Sequence, residues 1–449
     1  MDSTNPFVRA VVINYDGGQM TIDCLESLLA TDYPADRLEI VMVDNGSLDD
    51  VVERVAVELP SVRVIEPLAN TGFAGGCNLG IRAPGEFDLV ALVNNDATVA
   101  PGWLRPLVEA LETDEHLGAA SPKILFSGQF QEILVEVPDA GPIGSDEREL
   151  GIRVSGVRFD GERGDERIEF DEGFHLPEAP HLPDDEEIAR WSSTRGLIRL
   201  RVADRPVDRV ALRISSLAPR TLRLQSGSTV VEAAIGTTPV WIDVDVDPTV
   251  FDVINNVGSN LFRYGFGGDR GFLERDTGQY EEPAEVFAWC GGAVLLRREY
   301  LDDVGMFDEE LFLYYEDTDL AWRGRLRGWR YQYVPASVIR HRHAQSSGAW
   351  SPTFRFYTER NRMLVLAKNA PARLALRAIL GAVKRLVVTF LRQVVLRPFV
   401  LRLPVRAEAA HQWRVVRSYA RKLPAMMRAR RAARPSVDRA SLLTWMVTK

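Results

Sequence analysis

Alternation between strand-like and helical segments over the first 126 residues constrains the fold of this chain more than any other feature. Five apolar runs have the length and composition of strands: FVRAVVIN, LEIVMVD, SVRVIEP, DLVALVN and LGAASPKILF. Segments with helical periodicity lie between them, at residues 20–30, 48–59, 74–83 and 103–111. Strands that alternate with helices at this spacing predict an α/β domain, in which helices cover both faces of a mostly parallel sheet.

Polar residues collect where the predicted strands end, at 14–16, 44–47, 70–72 and 94–96. Ligands of open α/β sheets bind beyond the carboxyl ends of the strands, so these groups predict one shared crevice. Each group also has a purely structural interpretation. Asn94, Asn95 and Asp96 are ordinary turn formers or the start of a metal–diphosphate site. Asp44 begins either a helix-capping turn or a contact with a nucleoside.

A glycine-rich loop, NTGFAGGCNLG, leads into the third predicted helix. It fits a phosphate cradle at a helix N-terminus or a place where a helix packs closely on a strand. The spacing of its glycines matches neither the dinucleotide-binding pattern nor the P-loop pattern, which excludes both of those classes.

Two later motifs carry candidate catalytic or metal-binding groups. In YYEDTDLAWR, a helix would place Glu316 and Asp319 on one face and Asp317 on another. The acidic residues either interact favourably with the N-terminal end of the helix dipole or include a general base near apolar walls. Asp319 is expected to form an ion pair with Arg323. In the motif HRH, His341 and its neighbour at 343 are either surface histidines or part of a divalent-metal site with Asp96.

The chain divides into four segments by composition. Residues 1–126 and 251–369 have mixed α/β character, whereas 127–250 is acidic, rich in Gly and Pro, and shows period-two strands. That middle segment predicts an inserted β-sandwich or jelly roll. Residues 370–449 read as basic helices interrupted by prolines.

The last segment carries a charge opposite to that of the rest of the chain. It contains 18 Lys and Arg residues and two acidic residues, so its net charge is 18 − 2 = +16. The net charge of the whole chain is −9, so the remainder of the chain carries −9 − 16 = −25. Residues 371–395 form an amphipathic pattern with Arg373, Arg377, Lys384 and Arg392 on one side. This pattern predicts a helix in the headgroup plane of an anionic inner leaflet, or alternatively a packed helical hairpin or oligomer face. Nucleic acid is disfavoured as a partner because the body is acidic and offers no platform of aromatic and basic residues.

Cysteine content and the N-terminal sequence indicate the compartment. The three cysteines are far apart and odd in number, so they predict neither a disulfide framework nor a zinc site. The N-terminus shows no basic and apolar pattern of a signal peptide. We therefore expect a reducing, cytoplasmic environment.

Taken together, these segments resemble glycosyltransferase family 2, the inverting GT-A enzymes, and are most similar to bacterial rhamnosyltransferase-like and galactofuranosyltransferase-like members. The resemblance spans roughly residues 7–126 and 251–369. The segments that carry it are Val11–Pro34, Val43–Asp50, Asn70–Gly80, Val93–Asp96, Trp289–Trp329 and Val334–His343. It implies the GT-A nucleotide-diphospho-sugar transferase fold, with a Rossmann-like sheet, an inserted β-sandwich-like domain and a C-terminal basic helical region.

The resemblance also implies a role for each matching residue. The donor would be bound by Asn14, Tyr15, Asp44, Asn70, Asn78, Asn95 and Asp96. Asp96 and His341 would hold a divalent cation, Mg²⁺ or Mn²⁺, on the donor diphosphate; Asp317 would be the general base, with Glu316 as its helper. Trp289 and Trp350 would stack against the acceptor. Asn94 replaces the aspartate that many members carry, which predicts weaker metal binding before the donor arrives.

The implied activity is transfer of a sugar to a hydroxyl of a cell-envelope, lipid-linked glycan at the inner face of the cell membrane. The donor would be a dTDP-sugar such as that of rhamnose, or a UDP-sugar such as that of galactofuranose. Two alternatives remain open from the sequence. The enzyme could act on a protein or a soluble metabolite, or the chain could be a catalytically silent glycan-binding scaffold.

Overall fold

The computed structural model describes residues 5–143, 146–164, 167–175, 189–202, 205–342, 351–396 and 407–448. The chain forms two compact units. The first contains Met1–Ser127, Ile254–Phe272 and Gly278–Lys449, and the second contains Gly128–Val253 and Leu273–Thr277. Trp350 and the histidine at 343, both singled out in the sequence, lie outside the described residues.

The N-terminal part of the first unit alternates strands and helices as predicted. Its strands are β1 (Val8–Asn14), β2 (Leu38–Asp44), β3 (Arg63–Ile65), β4 (Leu89–Asn94), β5 (Ala97–Val99) and β6 (Leu117–Phe126). Its helices are α1 (Gln19–Leu29), α2 (Val51–Glu58), α3 (Gly72–Ile81) and α4 (Leu104–Thr113), with a 3₁₀ turn at Ala35–Arg37. Every residue of β1 and β6 is buried, which explains why these strands are apolar runs and not alternating ones.

The second unit is a β-sandwich. Its strands are β7 (Phe130–Glu136), β8 (Gly141–Ile143), β9 (Asp146–Leu150), β10 (Arg153–Phe159), β11 (Glu162–Arg163), β12 (Ile168–Phe170), β13 (Arg190–Trp191), β14 (Arg195–Arg201), β15 (Arg209–Ser215), β16 (Arg220–Ser226), β17 (Thr229–Ile235) and β18 (Val240–Asp245). They form two five-stranded sheets, β11-β10-β15-β18 with β13 on β10, and β12-β14-β7-β16-β17, beside a β8–β9 hairpin. Alternate residues such as Val210, Leu212 and Ile214 fill the shared core, so the predicted β-sandwich is confirmed.

The rest of the first unit returns to the main sheet and then becomes helical. The strands are β19 (Ile254–Asn256), β20 (Ser259–Phe262), β21 (Phe266–Asp269), β22 (Ala284–Glu285), β23 (Ala293–Arg297), β24 (Arg330–His341) and β25 (Met446–Val447). The helices are α5 (Arg298–Val304), α6 (Glu316–Arg327), α7 (Pro352–Asn369), α8 (Ala372–Phe390) and α9 (Ala407–Ala432), with 3₁₀ turns at Arg263–Gly265 and Ser441–Trp445 and a π-helical turn at Leu391–Leu396.

The main sheet is mixed, in the order β22-β24-β6-β23-β4-β1-β2-β3. Strands β4, β1, β2 and β3 are parallel, as are β6 and β24, but β23 lies antiparallel between β4 and β6. The expectation of a mostly parallel sheet therefore holds for one half only. Register pairs Asn14 with Asp44 and Ile13 with Asn94, which brings the polar ends of β1, β2 and β4 to one edge.

Helices cover both faces of this sheet, and side chains alternate between two cores. Val11, Val41 and Leu92 belong to the core that includes α3, whereas Val12 and Met42 belong to the core that includes α1 and α4. Close approach explains the glycines of α3. A Cβ on Gly76 would lie 3.0 Å from the Ile13 side chain, and one on Gly80 would lie 2.3 Å from Val11. The packing interpretation of the glycine-rich loop is thus confirmed at Gly76, and Gly80 packs on the strand in the same way.

The segment before α6 is not helical, so the two tyrosines of YYEDTDLAWR lie outside the predicted helix. Phe312, Tyr314 and Tyr315 have positive φ angles of 68°, 66° and 70°, and α6 begins only at Glu316. Three aromatic residues in left-handed conformation are unfavourable by themselves, so other contacts must hold this segment.

The basic C-terminal segment packs on the first unit. Strand β25 pairs in parallel with β20, Leu442 is buried, and Trp445 lies beside the ring of Phe287. On α8, Ala378 and Ala382 are buried, which supports the packed-hairpin alternative for one face of that helix. Within the described residues, every helix is too short or too polar to cross a bilayer.

Candidate active site

Asn14 organises the crevice at the ends of β1, β2 and β4. Its Nδ2 donates to Asp44 Oδ1 at 2.7 Å and to Ser47 Oγ at 3.0 Å. Its Oδ1 accepts from Thr21 Oγ1 at 2.6 Å and lies 3.4 Å from Asn95 Nδ2. The side chain is fully buried and its polar atoms are used within the protein, so it positions Asp44 and Asn95.

The other predicted donor-binding residues differ in exposure. Tyr15 is 46% exposed beside the end of β1, whereas Asp44 is buried and accepts from the Ser47 amide at 3.1 Å. Asn70 is exposed and its Oδ1 accepts from the Gly72 amide at 2.8 Å. Asn78 is buried within α3 and bonds the Phe307 backbone through both side-chain ends, at 3.0 Å each. The structure therefore gathers Asn14, Asp44 and Asn95, and gives Asn78 a structural tie to another loop.

Asp96 and His341 meet at the end of the sheet. His341 Nε2 lies 2.9 Å from Asp96 Oδ1, and both residues are buried. The other ring nitrogen, Nδ1, faces Asn255 Oδ1 at 3.2 Å, while Asn94 Nδ2 lies 3.4 Å from Nε2. An amide oxygen on Nδ1 favours the tautomer that carries its proton there, which leaves the Nε2 lone pair directed at a carboxylate. Such an acceptor–acceptor contact calls for a cation or a proton between the two atoms.

A β-bulge brings two adjacent asparagines into the site. The pairing of β19 with β6 shifts register between Ile254 and Asn256, so Asn255 is the extra residue. Asn255 contacts His341, and Asn256 Nδ2 donates to Asp269 Oδ1 at 2.5 Å. The pKa of Asp269 is raised to about 6, chiefly because the surrounding protein desolvates its carboxylate. The hydrogen bond from Asn256 lowers this pKa, whereas the charge of Asp317 raises it further.

Asp317 lies in the first turn of α6. Its Oδ2 accepts from the Gly291 amide at 3.0 Å, and its Oδ1 accepts from the amide and hydroxyl of Thr318 at 2.5 and 3.1 Å. A Cβ on Gly291 would lie 3.4 Å from Asp317 Oδ2, and one on Gly292 would lie 3.7 Å from His341 Cε1. The Gly291–Gly292 turn thus joins the predicted base to the predicted metal site. Desolvation raises the pKa of Asp317, although the donors from Gly291 and Thr318 act in the opposite direction.

Glu316 and Asp319 flank Asp317 but face the interior. Burial and the neighbouring Asp317 charge raise the pKa of Glu316 well above its ordinary value, and its Oε2 has no hydrogen-bond partner among the described residues. Burial therefore favours the neutral form of Glu316. Asp319 pairs with Arg323 at 2.8 Å, which confirms the predicted ion pair, and also with Lys368 at 2.8 Å.

Two residues of α7 hold the left-handed segment that leads to Asp317. Asn361 Nδ2 lies 2.9, 2.8 and 2.7 Å from the carbonyl oxygens of Leu311, Leu313 and Tyr314. Arg360 adds a bond to the Leu311 carbonyl at 2.8 Å and fixes the Asn361 amide by donating to its Oδ1 at 2.8 Å. Asn361 is fully buried, so these bonds are shielded from water.

Trp289 requires a correction. It was expected to stack against an acceptor sugar, but it is completely buried and makes an edge-to-face contact with Phe307 at 6.1 Å between ring centroids. A core tryptophan has no face to offer a substrate. Trp350, the other predicted stacking residue, lies outside the described residues.

Sequence reasoning did not identify Asn255, Asn256, Asp269, Asn361 or Gly291 as parts of the site. The local pattern INN followed by GFGGD offered a signal, because amides and a carboxylate near glycines are typical of binding loops. Nothing in the local sequence indicates that a bulge aims both amides into the crevice.

The chain is similar to known glycosyltransferases. The family model "Glycosyl transferase family 2" matches residues 10–132. The chain is 22% identical over 349 residues to the N-acetylglucosaminyl-diphospho-decaprenol L-rhamnosyltransferase of Mycobacterium tuberculosis. The aligned region covers 75% of this chain and 76% of that protein. It is 39% identical over 75 residues to rhamnosyltransferase WbbL of Escherichia coli K12, covering 16% of this chain and 28% of that protein.

Solved structures are similar at a lower level. GalNAc-T7 with UDP, GalNAc and Mn²⁺ gives a TM-score of 0.44 at 13% identity, covering 82% of this chain and 49% of that one. The mannosyltransferase PcManGT of Pyrobaculum calidifontis, with GDP-Man and Mn²⁺, gives 0.40 at 14% identity, covering 94% and 88%. Similarity of this size carries no argument about the site.

Proposed function

Because this chain is a rhamnosyltransferase-like glycosyltransferase of family 2 with a GT-A fold, we propose that it transfers a sugar from a nucleotide-diphospho-sugar to a hydroxyl of a lipid-linked cell-envelope glycan. The two donor classes are a dTDP-sugar such as that of rhamnose and a UDP-sugar such as that of galactofuranose. The name of the mycobacterial relative favours rhamnose as the sugar and a diphospholipid as the carrier of the acceptor.

One observation carries the proposal. His341 Nε2 and Asp96 Oδ1 lie 2.9 Å apart, and the Gly291–Gly292 turn connects this pair to Asp317. A carboxylate and an imidazole beside a separate, solvent-reachable carboxylate supply the two functions that inverting transfer needs. One function stabilises the leaving diphosphate, and the other removes a proton from the acceptor.

The residues at Asp96 fit a divalent cation. A carboxylate oxygen, an imidazole nitrogen, and the amide oxygen of Asn94, which has no hydrogen-bond partner among the described residues, are ligand types that Mg²⁺ or Mn²⁺ accepts. No cluster of three or more His, Cys, Asp or Glu ligands occurs within the described part of the chain. We propose that donor phosphate oxygens complete the coordination, so that cation and donor bind together. When bound, the cation neutralises charge on the leaving diphosphate.

Asp317 is the proposed general base, and Glu316 supports it. The amides of Gly291 and Thr318 orient the Asp317 carboxylate, whose raised pKa improves its ability to accept a proton. The raised pKa of Glu316 favours its protonated form, which adds no negative charge to the site. Transfer then proceeds as one displacement with inversion at the anomeric carbon.

The proposed nucleoside site lies at the ends of β1 and β2. Asp44 is held by Asn14 and Ser47, which prepares its carboxylate to accept hydrogen bonds from a ribose or base. Tyr15 is exposed beside it and offers an aromatic face for stacking. Asn95 is fixed by Thr21 at 3.0 Å and carries the turn to Asp96.

We further propose that α8 lies on the inner face of the cell membrane. Leu376, Leu380, Val383 and Val387 are 57%, 58%, 39% and 49% exposed and follow one another at helical spacing. The segment 371–396 contains no acidic residue, and its lysine and arginine side chains suit an anionic surface. Leu374 and Leu386 of the same helix are half-buried and lie outside this exposed stripe.

Nucleotide release tests the catalytic proposal. Purified protein is incubated with dTDP-rhamnose or UDP-galactofuranose, with Mn²⁺ or with EDTA, and release of the nucleoside diphosphate is measured with and without a short-chain N-acetylglucosaminyl diphospholipid. We expect metal-dependent release that the acceptor stimulates, and loss of that stimulation in Asp317→Asn. Absence of metal-dependent release from the wild type with both donors would refute the proposal.

A flotation assay tests the membrane proposal. Removal of residues 371–449 is unsuitable because it also removes β25 and the buried Leu442. We therefore compare wild type with Leu376→Ser/Leu380→Ser, and with Val57→Ser as an exposed control on α2, in vesicles containing anionic lipid. We expect the paired variant alone to lose flotation; equal recovery of all three proteins would refute the proposal.

A further inference from the structure

Asn256 holds the carboxylate of Asp269 at a defined place in the crevice. Asn256 is fully buried, its Oδ1 accepts from the Gly258 amide at 2.7 Å, and its Nδ2 donates to Asp269 Oδ1 at 2.5 Å. The Gly258 amide identifies which end of the Asn256 side chain is the oxygen, so the NH₂ group must face Asp269. By surface area Asp269 is exposed, so a ligand can reach its side chain, although the surrounding protein desolvates the carboxylate enough to raise its pKa.

The β20–β21 hairpin places Asp269 beside the helix that carries the proposed base. The amide of Gly267 donates to Tyr315 Oη at 3.3 Å, and a Cβ on Gly267 would lie 3.4 Å from Thr318 Oγ1. Strand β21 therefore runs along the N-terminus of α6. The charge of Asp317 raises the pKa of Asp269, and both carboxylates raise the pKa of the Cys290 thiol, which precedes the glycine turn.

Among the residues that the structure describes, no lysine or arginine forms an ion pair with Asp269 or Asp317. Buried structural carboxylates in folded proteins are usually paired, as Asp319 is with Arg323 and Lys368. Two accessible acceptors in one crevice instead fit a ligand that donates two hydrogen bonds from neighbouring positions.

We infer that Asp269 is an acceptor-binding residue that accepts a hydrogen bond from the hydroxyl adjacent to the one deprotonated by Asp317. The acceptor class is then a sugar with two neighbouring free hydroxyls. This inference rests on the proposed function and adds to it a second point of acceptor recognition. Asn256 is a positioning residue for Asp269.

The test uses the full-length protein, a short-chain N-acetylglucosaminyl diphospholipid, and its 3-deoxy and 4-deoxy analogues. One analogue lacks the nucleophile and does not react, so the other lacks only the neighbouring hydroxyl. With the parent acceptor, we expect kcat/KM to fall about 10- to 100-fold in Asp269→Ala, the range for a lost hydrogen bond to a charged group. The reactive deoxy analogue should cause a similar fall with wild type and little further fall with the variant, because both changes remove the same bond.

Donor hydrolysis without acceptor separates this inference from the proposed function. Circular dichroism and thermal unfolding report whether Asp269→Ala and the near-isosteric Asp269→Asn are folded, and their half-saturating Mn²⁺ concentration in donor hydrolysis is compared with that of wild type. Asp302→Asn, an exposed change on α5, serves as the matched control. Wild-type kcat/KM in both Asp269 variants would overturn the inference, and so would a changed Mn²⁺ requirement, which would assign Asp269 to the metal site. No donor hydrolysis by wild type would instead refute the proposed function.

Discussion

Replacement of Asn361 by alanine should release the segment that presents Asp317. Three residues before the helix, Phe312, Tyr314 and Tyr315, are in left-handed conformation, at a cost of about 1–2 kcal/mol each or roughly 3–6 kcal/mol together. Hydrogen bonds from Asn361 and Arg360 to the carbonyls of this segment oppose that cost.

The conformational cost of this segment and the stabilisation from its hydrogen bonds are nearly equal, so loss of the Asn361 side-chain amide should change the balance. The two hydrogens of Asn361 Nδ2 are shared among three carbonyls at 2.7–2.9 Å, and Arg360 adds the bonds to Glu310 and Leu311 at 3.4 and 2.8 Å. At about 1 kcal/mol for each buried bond, the set is worth about 4–5 kcal/mol, of which Asn361 supplies roughly 2–3. Without Asn361, the remaining bonds fall below the conformational cost, and the segment should relax away from its left-handed conformation.

Hydrogen exchange and kinetics test this reasoning together. We expect amides in residues 311–318 of Asn361→Ala to exchange faster, acceptor-dependent kcat to fall at least about 10-fold, and donor binding by thermal shift to persist because the β1–β2 crevice is untouched. Thr353→Ala, an exposed change near the start of the same helix, is the control. A folded Asn361→Ala protein with wild-type exchange in 311–318 and wild-type kcat would show that Asn361 does not hold this segment.

Three further predictions concern the titratable and metal-binding groups. His341→Ala should raise the half-saturating Mn²⁺ concentration in donor hydrolysis about 10-fold or more, measured by metal titration, and an unchanged titration would exclude His341 as a ligand. Acceptor-dependent kcat/KM should fall as pH drops through the pKa of Asp317, because only the deprotonated carboxylate can act as base. Since that pKa is raised, the fall should begin at a higher pH than for an ordinary aspartate, and a pH profile that is flat from about 5 to 8 would contradict this. Glu316→Gln should stabilise the protein at pH 7 relative to wild type, because the folded pKa of Glu316 lies above its unfolded value. The wild-type protein therefore loses stability as pH rises from the unfolded pKa to the folded pKa, and the variant does not. The stability gained by the variant should vanish below about pH 4 in denaturant titrations, and a gain that persists there would indicate another cause.

Local patterns predicted the strands and the crevice well because those features depend on short-range regularities. Apolar runs ending in Asn14, Asp44 and Asn94 specify buried strands whose polar ends must meet when the strands are parallel and in register. The antiparallel position of β23 was not predictable in this way, since its partners are set by residues about 200 positions earlier in the chain.

The errors arose where long-range packing decides the outcome. Trp289 has the same neighbours in sequence whether it faces a substrate or Phe307, so only the fold distinguishes the two. The aromatic run before Glu316 has helical composition, but buried bonds from Asn361 hold it in another conformation. Asp269 joined the site only through a bulge and a hairpin, neither of which has a strong local signature.

The position of the β-sandwich within the chain has a consequence for how such enzymes diversify. The strands on either side of it, β6 and β19, are antiparallel neighbours, and Leu125 pairs with Ile254. The 126 residues of Gly128–Val253 thus occupy the place of an ordinary hairpin loop. Since the entropy of closing a loop grows only slowly with its length, and a folded body brings its own ends together, an insertion at this point costs the catalytic sheet little. Asn255 follows directly after the junction, however. Recombination could exchange the inserted domain freely only if it preserves the bulge at Asn255, which contacts His341.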